Sequence, residues 1–143
     1  MILNIILALL VFSILVVSHE FGHFLLAKKN GIGVIEFSVG MGPRIISREK
    51  GGTRYSLKAI PFGGSCQMVG EDEESDREDS FNSKSPYARL AVVIGGPLFN
   101  FILAFLCSVV VLSIAGVNKP VVYGVTEGYG AEKAGIEAGD VIK

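Results

Sequence analysis

Two histidines and one glutamate lie within five consecutive residues near the start of the chain. They form the sequence His19-Glu20-Phe21-Gly22-His23, and the chain contains no other histidine. On a helix, residues four positions apart lie on the same face, so both imidazole rings can bind a single metal ion. Zinc favours imidazole and carboxylate ligands, which predicts Zn²⁺ as the cofactor. We therefore predict His19 and His23 as metal ligands.

Glu20 is predicted to be the catalytic base. One position along a helix is a rotation of about 100°, so the carboxylate lies beside a metal held by His19 and His23 and does not coordinate it. From there it can take a proton from the attacking water. A catalytic zinc has three protein ligands. Because the segment 90–117 contains no Asp or Glu, we expect the third ligand beyond Lys143.

Two apolar stretches are each long enough to cross a membrane. Residues 1–27 contain one charged residue, Glu20, and residues 90–117 contain none. A transmembrane helix needs about 20 mainly apolar residues. No Lys or Arg precedes the first stretch, which argues for a retained span and against a signal peptide. We predict two transmembrane helices.

The apolar surroundings of the pentad bear on whether it is an accidental match. An ionisable residue inside a membrane helix costs about 2.5 kcal/mol or more unless it is paired or functional. Two histidines and a glutamate at metal-ligand spacing are therefore hard to explain by packing. A proton relay or an ion pathway is the rival functional interpretation, and zinc-dependent hydrolysis is favoured over it.

The distribution of positive charge predicts the orientation. Ten of the 13 Lys and Arg residues lie between Lys28 and Arg89, and such an excess is typical of cytoplasmic loops. The connector is expected in the cytoplasm, and the chain after Val117 outside. The predicted location is the cell (inner, cytoplasmic) membrane, in a multi-pass protein. The formal net charge of −1 gives no indication of nucleic-acid binding.

The connector is predicted to contain a β-hairpin. Residues 44–48 and 53–58 favour strands, and Gly51-Gly52 favours the turn. Residues 71–79 are expected to form a solvated, flexible acidic loop. Cys66 and Cys107 are expected to be ordinary reduced residues. Glycines and prolines on either side of the hairpin are expected to form loops: Gly40, Gly42, Pro43, Pro61, Gly63 and Gly64.

The predicted fold class is a mainly α-helical membrane protein with four regions. Residues 1–29 form the first transmembrane helix and residues 30–84 the cytoplasmic, membrane-associated hairpin region. Residues 85–117 form the second transmembrane helix, which Gly95-Gly96-Pro97 should either bend or open to the close approach of another helix. Residues 118–143 contain a short helix, ended by Gly135, and the beginning of a strand, and are expected to be a truncated domain.

A series of short motifs along the chain resembles the site-2 protease family, specifically the bacterial zinc metalloproteases of regulated intramembrane proteolysis. The resemblance extends over nearly the whole chain, whereas the pentad alone also occurs in soluble proteases. Ser65-Cys66-Gln67 departs from the family, whose members often carry Tyr-Val-Lys there. The matching segments are His19–Lys29, Phe37–Pro43, Ile60–Gly64, Met68–Asp72, Gly96–Phe101 and Ala131–Ile142.

The resemblance implies an intramembrane zinc metalloendopeptidase that cleaves single-span membrane proteins. It implies substrates such as anti-sigma factors or signal-peptide remnants, with the lipid bilayer as the surrounding medium. It also implies that residues 121–143 begin an extracytoplasmic PDZ domain, and that the third ligand is an Asp in a Leu-Asp-Gly motif absent here. The non-enzymatic alternative is a membrane-anchored PDZ binding module or pseudoprotease that captures partners without cutting them.

A motif in the second apolar stretch and the predicted hairpin can each be interpreted in two ways. Gly96, Pro97 and Asn100 match a family motif, and either helix packing with one interhelical hydrogen bond or substrate handling would explain them. The hairpin could offer an edge strand to an unwound substrate, or it could be a cytoplasmic scaffold.

Overall fold

A computed structural model of the chain describes residues 1–73, 75–116 and 120–142. The chain divides into two compact units, Met1–Leu106 and Cys107–Lys143. Its main elements in chain order are helix α1 (Ile2–Lys29), strands β1 (Val34–Lys50) and β2 (Thr53–Met68), and helices α2 (Pro86–Ala115) and α3 (Gly130–Lys133), with a 3-10 turn at Phe81–Ser83.

Helices α1 and α2 are long and apolar enough to cross a membrane. They contain 28 and 30 residues, and the most apolar 18-residue windows have mean hydropathies of 2.5 and 2.6. At 1.5 Å per residue, each helix exceeds the hydrocarbon thickness of about 30 Å. Large apolar side chains such as Leu10, Phe12 and Val110 are more than half exposed, as expected of helices surrounded by lipid. The two predicted apolar helices are confirmed.

The ends of both helices follow from local chemistry. Asn30 closes α1, because its side-chain amide donates to the Leu26 carbonyl at 2.8 Å, and Gly31 follows with φ +67°. Helix α2 begins where predicted, after Ser85, whose hydroxyl accepts a hydrogen bond from the Ala88 amide at 3.3 Å. It ends at Ala115, and the predicted end at Val117 lies outside the described residues.

The connector forms a two-stranded antiparallel sheet that is larger than the predicted hairpin. The predicted turn is confirmed: Lys50 pairs with Thr53, and Gly51 and Gly52 have φ values of +59° and +73°, as a tight hairpin turn requires. The strands contain 17 and 16 residues, so both extend well beyond the segments 44–48 and 53–58.

The prediction that the flanking glycines and prolines form loops is wrong. They lie inside the two strands, where the pairing register shifts between Val39 and Met41 and again before Arg44. Glycines with positive φ, such as Gly40 at +86° and Gly63 at +74°, bend a strand without ending it. Because the strands bend, Phe37 pairs with Cys66 on one side and with Tyr55 on the other.

A small core joins the end of α1 to the sheet and to the first turns of α2. Ala27, Val34, Met68 and Val92 are buried there together with Ile32. Backbone hydrogen bonds then hold the acidic segment against this core, from the Gly33 amide to the Asp79 carbonyl (2.8 Å) and from the Phe81 amide to the Val69 carbonyl (2.7 Å).

The acidic segment is partly as predicted. Glu71, Asp72 and Glu73 are exposed, in agreement with a solvated loop, and Glu74 lies outside the described residues. Arg77 pairs with Asp79 at 2.8 Å, which holds the pKa of the Asp79 carboxyl below its ordinary value, mainly through the hydrogen bonds from Arg77.

The described residues 120–142 form a short helix and one β-bridge. Helix α3 ends before Gly135, which has φ +76°, as predicted. The predicted strand is present only as the bridge between Val121 and Val141. A hydrogen bond of 2.8 Å from the Val122 amide to the Asp140 carbonyl supports it. Residues 118, 119 and 143 of the predicted last region lie outside the described residues.

Candidate metal centre

Helices α1 and α2 touch through glycine at the level of the pentad. A Cβ atom added to Gly22 would overlap the carbonyl group of Gly95, and one added to Gly95 would lie 2.8 Å from the Gly22 oxygen. Such a close approach is possible only where neither helix carries a side chain. Of the two expectations for Gly95-Gly96-Pro97, the close approach of another helix is therefore confirmed, and α2 continues through Pro97.

The two histidine side chains converge on Gly96. A Cβ atom on Gly96 would lie 2.5 Å from Nε2 of His23 and 2.6 Å from Nε2 of His19. The ring centroids are 4.7 Å apart and the ring planes are nearly perpendicular, at 79°. The structure thus brings the same nitrogen of both rings to one small space, which the absence of a side chain on Gly96 keeps open.

The other ring nitrogen of His23 has a backbone partner on α2. Nδ1 lies 2.8 Å from the Val92 carbonyl oxygen. A carbonyl oxygen only accepts hydrogen bonds, so Nδ1 carries the hydrogen and Nε2 keeps its lone pair. This is the usual arrangement of a metal-binding histidine, in which the second nitrogen donates to a carbonyl or carboxylate.

Glu20 is held by the sheet. The backbone amide of Cys66 in β2 donates a 2.8 Å hydrogen bond to Oε2 of Glu20. Gly64, two residues before Cys66, lies close to both neighbours of β2. A Cβ atom there would lie too close to the Ser38 carbonyl oxygen of β1, at 2.8 Å, and in ordinary contact with Cγ of Glu20, at 3.8 Å. A hydrogen bond to an ionised carboxylate is stronger than one between neutral groups, so it fixes the direction of the carboxylate.

The donor groups at this place fit zinc. Two converging imidazole nitrogens and a carboxylate one residue away match the chemistry of a catalytic zinc site. In residues 1–73, 75–116 and 120–142, no three His, Cys, Asp or Glu side chains form a cluster that could hold a metal ion. The described residues therefore offer two ligands, His19 and His23, with Glu20 beside them.

Burial and negative charge act on the groups between the sheet and the pentad. The thiol of Cys66 is partly buried, and burial, followed by the charges of Glu20 and Glu71, raises its pKa to about 12. The Glu71 residue is exposed as a whole, but partial loss of hydration raises the pKa of its carboxyl against the lowering effect of a hydrogen bond from the Met68 backbone, and the charge of Asp72 adds to the rise. Cys66 and Cys107 are both free thiols.

A buried carboxylate holds together the bent part of the sheet. Glu36 accepts hydrogen bonds from Arg44 at 2.6 and 3.1 Å and from the Ser56 hydroxyl at 2.6 Å, and Lys58 lies 3.8 Å away. These partners, Arg44 above all, lower the pKa of Glu36 to about 2 against the opposing effect of burial. The cluster stabilises the strands that position Cys66.

The residue types do not indicate the site contacts that involve the backbone. The Cys66 amide at Glu20 and the Val92 carbonyl at His23 belong to groups that every residue has, so no residue type indicated them. The sequence pattern also gives no indication of the role of Ser13, whose hydroxyl donates to the Pro61 carbonyl at 3.0 Å and accepts from the Gly63 amide at 3.2 Å. Ser13 thereby ties the middle of β2 to the middle of α1.

Comparison with known proteins agrees with this geometry. The family model for Peptidase family M50 matches residues 7–138. The chain belongs to peptidase family M50. The predicted relationship to site-2 proteases is thereby confirmed.

Relatives within the M50 family are similar over nearly the whole chain. A "putative zinc metalloprotease" of Clostridium acetobutylicum is 42% identical over 139 residues, which is 97% of this chain and 41% of that protein. Proteins with the same description from Clostridium perfringens and Campylobacter jejuni are 43% and 36% identical, over 95% and 93% of this chain and 41% and 38% of their own lengths. The chain spans about two fifths of the length of these relatives.

Proposed function

We propose that this chain carries two zinc ligands and the catalytic base of an intramembrane zinc metalloendopeptidase. The observation that supports this most directly is the convergence of the His19 and His23 Nε2 atoms on the space beside Gly96. Membership of peptidase family M50 and the position of both histidines in an apolar helix long enough to span a membrane support the same function. A third protein ligand, which a catalytic zinc needs, is not among the clusters of the described residues and is expected from another part of the full-length protein.

Each residue of the pentad has a separate task in the proposed reaction. His19 and His23 would hold the ion through Nε2. When bound, zinc supplies the Lewis acidity that makes water nucleophilic at neutral pH. Glu20 takes a proton from the attacking water and delivers it to the amine that leaves when the peptide bond breaks. The Cys66 amide holds the Glu20 carboxylate in place during both transfers.

Glu20→Gln in the full-length protein tests this function, with a single-span membrane protein as substrate. Glutamine keeps the size of the side chain and its acceptor oxygen for the Cys66 amide, but it cannot take the proton. Zinc content should persist, and cleavage should fall about 10²–10⁴-fold. Glu73→Gln, at an exposed carboxylate, is the control and should cleave normally. Cleavage by Glu20→Gln at the wild-type rate, with zinc bound, would contradict the mechanism.

The substrates we propose are single-span membrane proteins, with anti-sigma factors and signal-peptide remnants as the expected kinds. The segment Gly64–Met68 pairs with β1, and its Cys66 amide points away from β1 to Glu20. An unwound substrate segment added along this side would lie next to the catalytic base. Main-chain groups of this segment other than the Cys66 amide would then form hydrogen bonds with the substrate, as in other cases of strand addition.

We propose a multi-pass location in the cytoplasmic membrane, with the sheet on the cytoplasmic side. The Lys and Arg excess of residues 28–89 supports this orientation. It places Lys28 and Lys29, in the last turn of α1, near the lipid head groups. Residues 120–142 then lie on the opposite side of the membrane, where we propose that they begin a PDZ domain.

A membrane-anchored binding module without cleavage is the alternative function. It keeps the zinc site or its remnant and uses the proposed PDZ domain to capture partners. Wild-type full-length protein separates the two functions, since only the protease cuts a reconstituted single-span substrate in a zinc-dependent way. Stable binding of the substrate without cleavage would favour the binding module.

A further inference from the structure

Helix α2 presents three residues to the two histidines at intervals of four. Val92, Gly96 and Asn100 are each one helical turn apart, so they lie on one face of α2. The Val92 carbonyl contacts Nδ1 of His23, and Gly96 leaves the space into which both Nε2 atoms point. Asn100 lies at the other end of this face, next to His19.

The Asn100 amide, as oriented in the structure, makes a poor hydrogen bond with His19. The amide nitrogen Nδ2 of Asn100 lies 3.5 Å from Nδ1 of His19, which is long for a hydrogen bond. The amide oxygen Oδ1 is buried and has no hydrogen-bond partner within the part of the chain that the structure describes. A buried acceptor without a partner costs about 1–3 kcal/mol.

A half-turn of the amide plane corrects the polarity of this contact. It exchanges the nearly equal-sized oxygen and nitrogen of the Asn100 side chain and places Oδ1 beside Nδ1 of His19. Oδ1 then accepts a hydrogen from Nδ1, and Nε2 of His19 keeps its lone pair. The opposite arrangement, with Nδ2 donating to Nδ1, would put the ring hydrogen on Nε2 and block metal binding there.

We infer that Asn100 is a positioning residue for the metal site. Its Oδ1 accepts a hydrogen bond from Nδ1 of His19 and so directs Nε2 of His19 toward the ion. The inference rests on the proposed zinc site. Asn100 then does for His19 what the Val92 carbonyl does for His23. A single face of α2 thereby sets the tautomer and the ring orientation of both ligands.

A purely structural role for Asn100 makes different demands on the side chain. An interhelical hydrogen bond that only holds α1 to α2 would change stability and leave zinc affinity alone. A positioning role needs an acceptor at this place, and it needs no donor. Asparagine, aspartate and leucine have similar sizes, so Asn100→Asp keeps the acceptor and Asn100→Leu removes it.

Zinc affinity of the full-length protein tests the inference, measured by competition with a chromophoric zinc chelator. Asn100→Leu should bind zinc about 10–100-fold more weakly, the usual effect of losing the partner of a ligand histidine. Asn100→Asp should bind within about threefold of wild type or more tightly. Phe101→Leu is the matched control, because its side chain is 75% exposed on the same helix, and it should bind like wild type.

The outcomes separate this inference from the zinc site itself. If Asn100→Leu binds zinc like wild type, or Asn100→Asp binds as weakly as Asn100→Leu, Asn100 is not a positioning acceptor. If Asn100→Leu does not fold, the zinc affinity of Asn100→Asp decides the question. An affinity tenfold weaker than that of wild type would overturn the inference, and an affinity like that of wild type would support it. If wild type itself binds no zinc, the proposed function fails first.

Discussion

Gly22 on α1 and Gly95 on α2 bring the backbones of the two membrane helices into direct contact, with no room for a Cβ atom on either residue. Gly22 is the fourth residue of the pentad, and Gly95 precedes Gly96, on which both histidines converge. The helix crossing and the proposed metal site therefore depend on the same short stretch of backbone contact. A change that separates the helices should also separate the histidines from their partners on α2.

Gly22→Ala tests this dependence. Alanine normally stabilises a helix interior by about 0.5–1 kcal/mol relative to glycine. Here the added methyl group would meet the Gly95 carbonyl, and overpacking costs about 1–3 kcal/mol, so we expect lower thermal stability and less bound zinc. Gly124→Ala is the control, because its methyl group would meet no atom within 4 Å. Equal stability and zinc content of the two variants would show that the helices can separate without consequence.

Removal of either histidine should abolish zinc binding by the full-length protein. His19→Ala or His23→Ala leaves one imidazole from this chain, which is insufficient for a site that needs three protein ligands. Metal analysis of the purified variants measures the loss, and Leu25→Ala, at a side chain that is 42% exposed on α1, is the control. Stoichiometric zinc in both histidine variants would refute the assignment of the ligands.

Cysteine labelling tests the proposed orientation. Ser75→Cys, in the connector, should react only from the cytoplasmic side, and Glu127→Cys, in the C-terminal unit, only from outside. The background protein carries Cys107→Ser, while Cys66 can remain, because a thiol with a pKa of about 12 reacts slowly at neutral pH. An impermeant reagent that labels Ser75→Cys in intact cells would reverse the orientation.

The buried carboxylate of Glu36 should make the sheet sensitive to acid. Its pKa falls from 4.5 to about 2 in the folded protein, so its favourable contribution is complete above about pH 5 and declines as the pH falls from 4.5 toward 2. Glu36→Gln should therefore destabilise the full-length protein clearly at about pH 7 and less at about pH 3. Chemical unfolding in detergent at both pH values measures the difference.

Glu49→Gln is the matched control for Glu36→Gln. Glu49 also pairs with an arginine, Arg54, at 2.8 Å, but its side chain is 70% exposed. Exposed ion pairs contribute about 0–1 kcal/mol, so this variant should resemble wild type at both pH values. A Glu36→Gln effect that is as small as that of Glu49→Gln would show that the buried cluster does not stabilise the sheet.

The extent of the sheet shows where inference from residue types fails. The turn predicted at Gly51-Gly52 is confirmed, because consecutive glycines favour the positive φ values that a tight hairpin requires. The prediction of loops at Gly40, Gly63 and Pro61 is wrong, since the same residue types that end strands also occur inside bent ones. Whether a glycine ends or bends a strand depends on partners across the sheet, and residue type does not reveal those partners.

The amino-acid sequence alone determines the features that depend on a short segment of the chain. The i, i+4 spacing of His19 and His23 and the two apolar stretches follow from helical periodicity and hydropathy, which neighbouring residues determine. The partners of the site come from distant segments: the Cys66 amide at Glu20, the Val92 carbonyl at His23, and Asn100 at His19. Two of these three partners are backbone groups that every residue carries, so only the packing of α1 against α2 and β2 selects them.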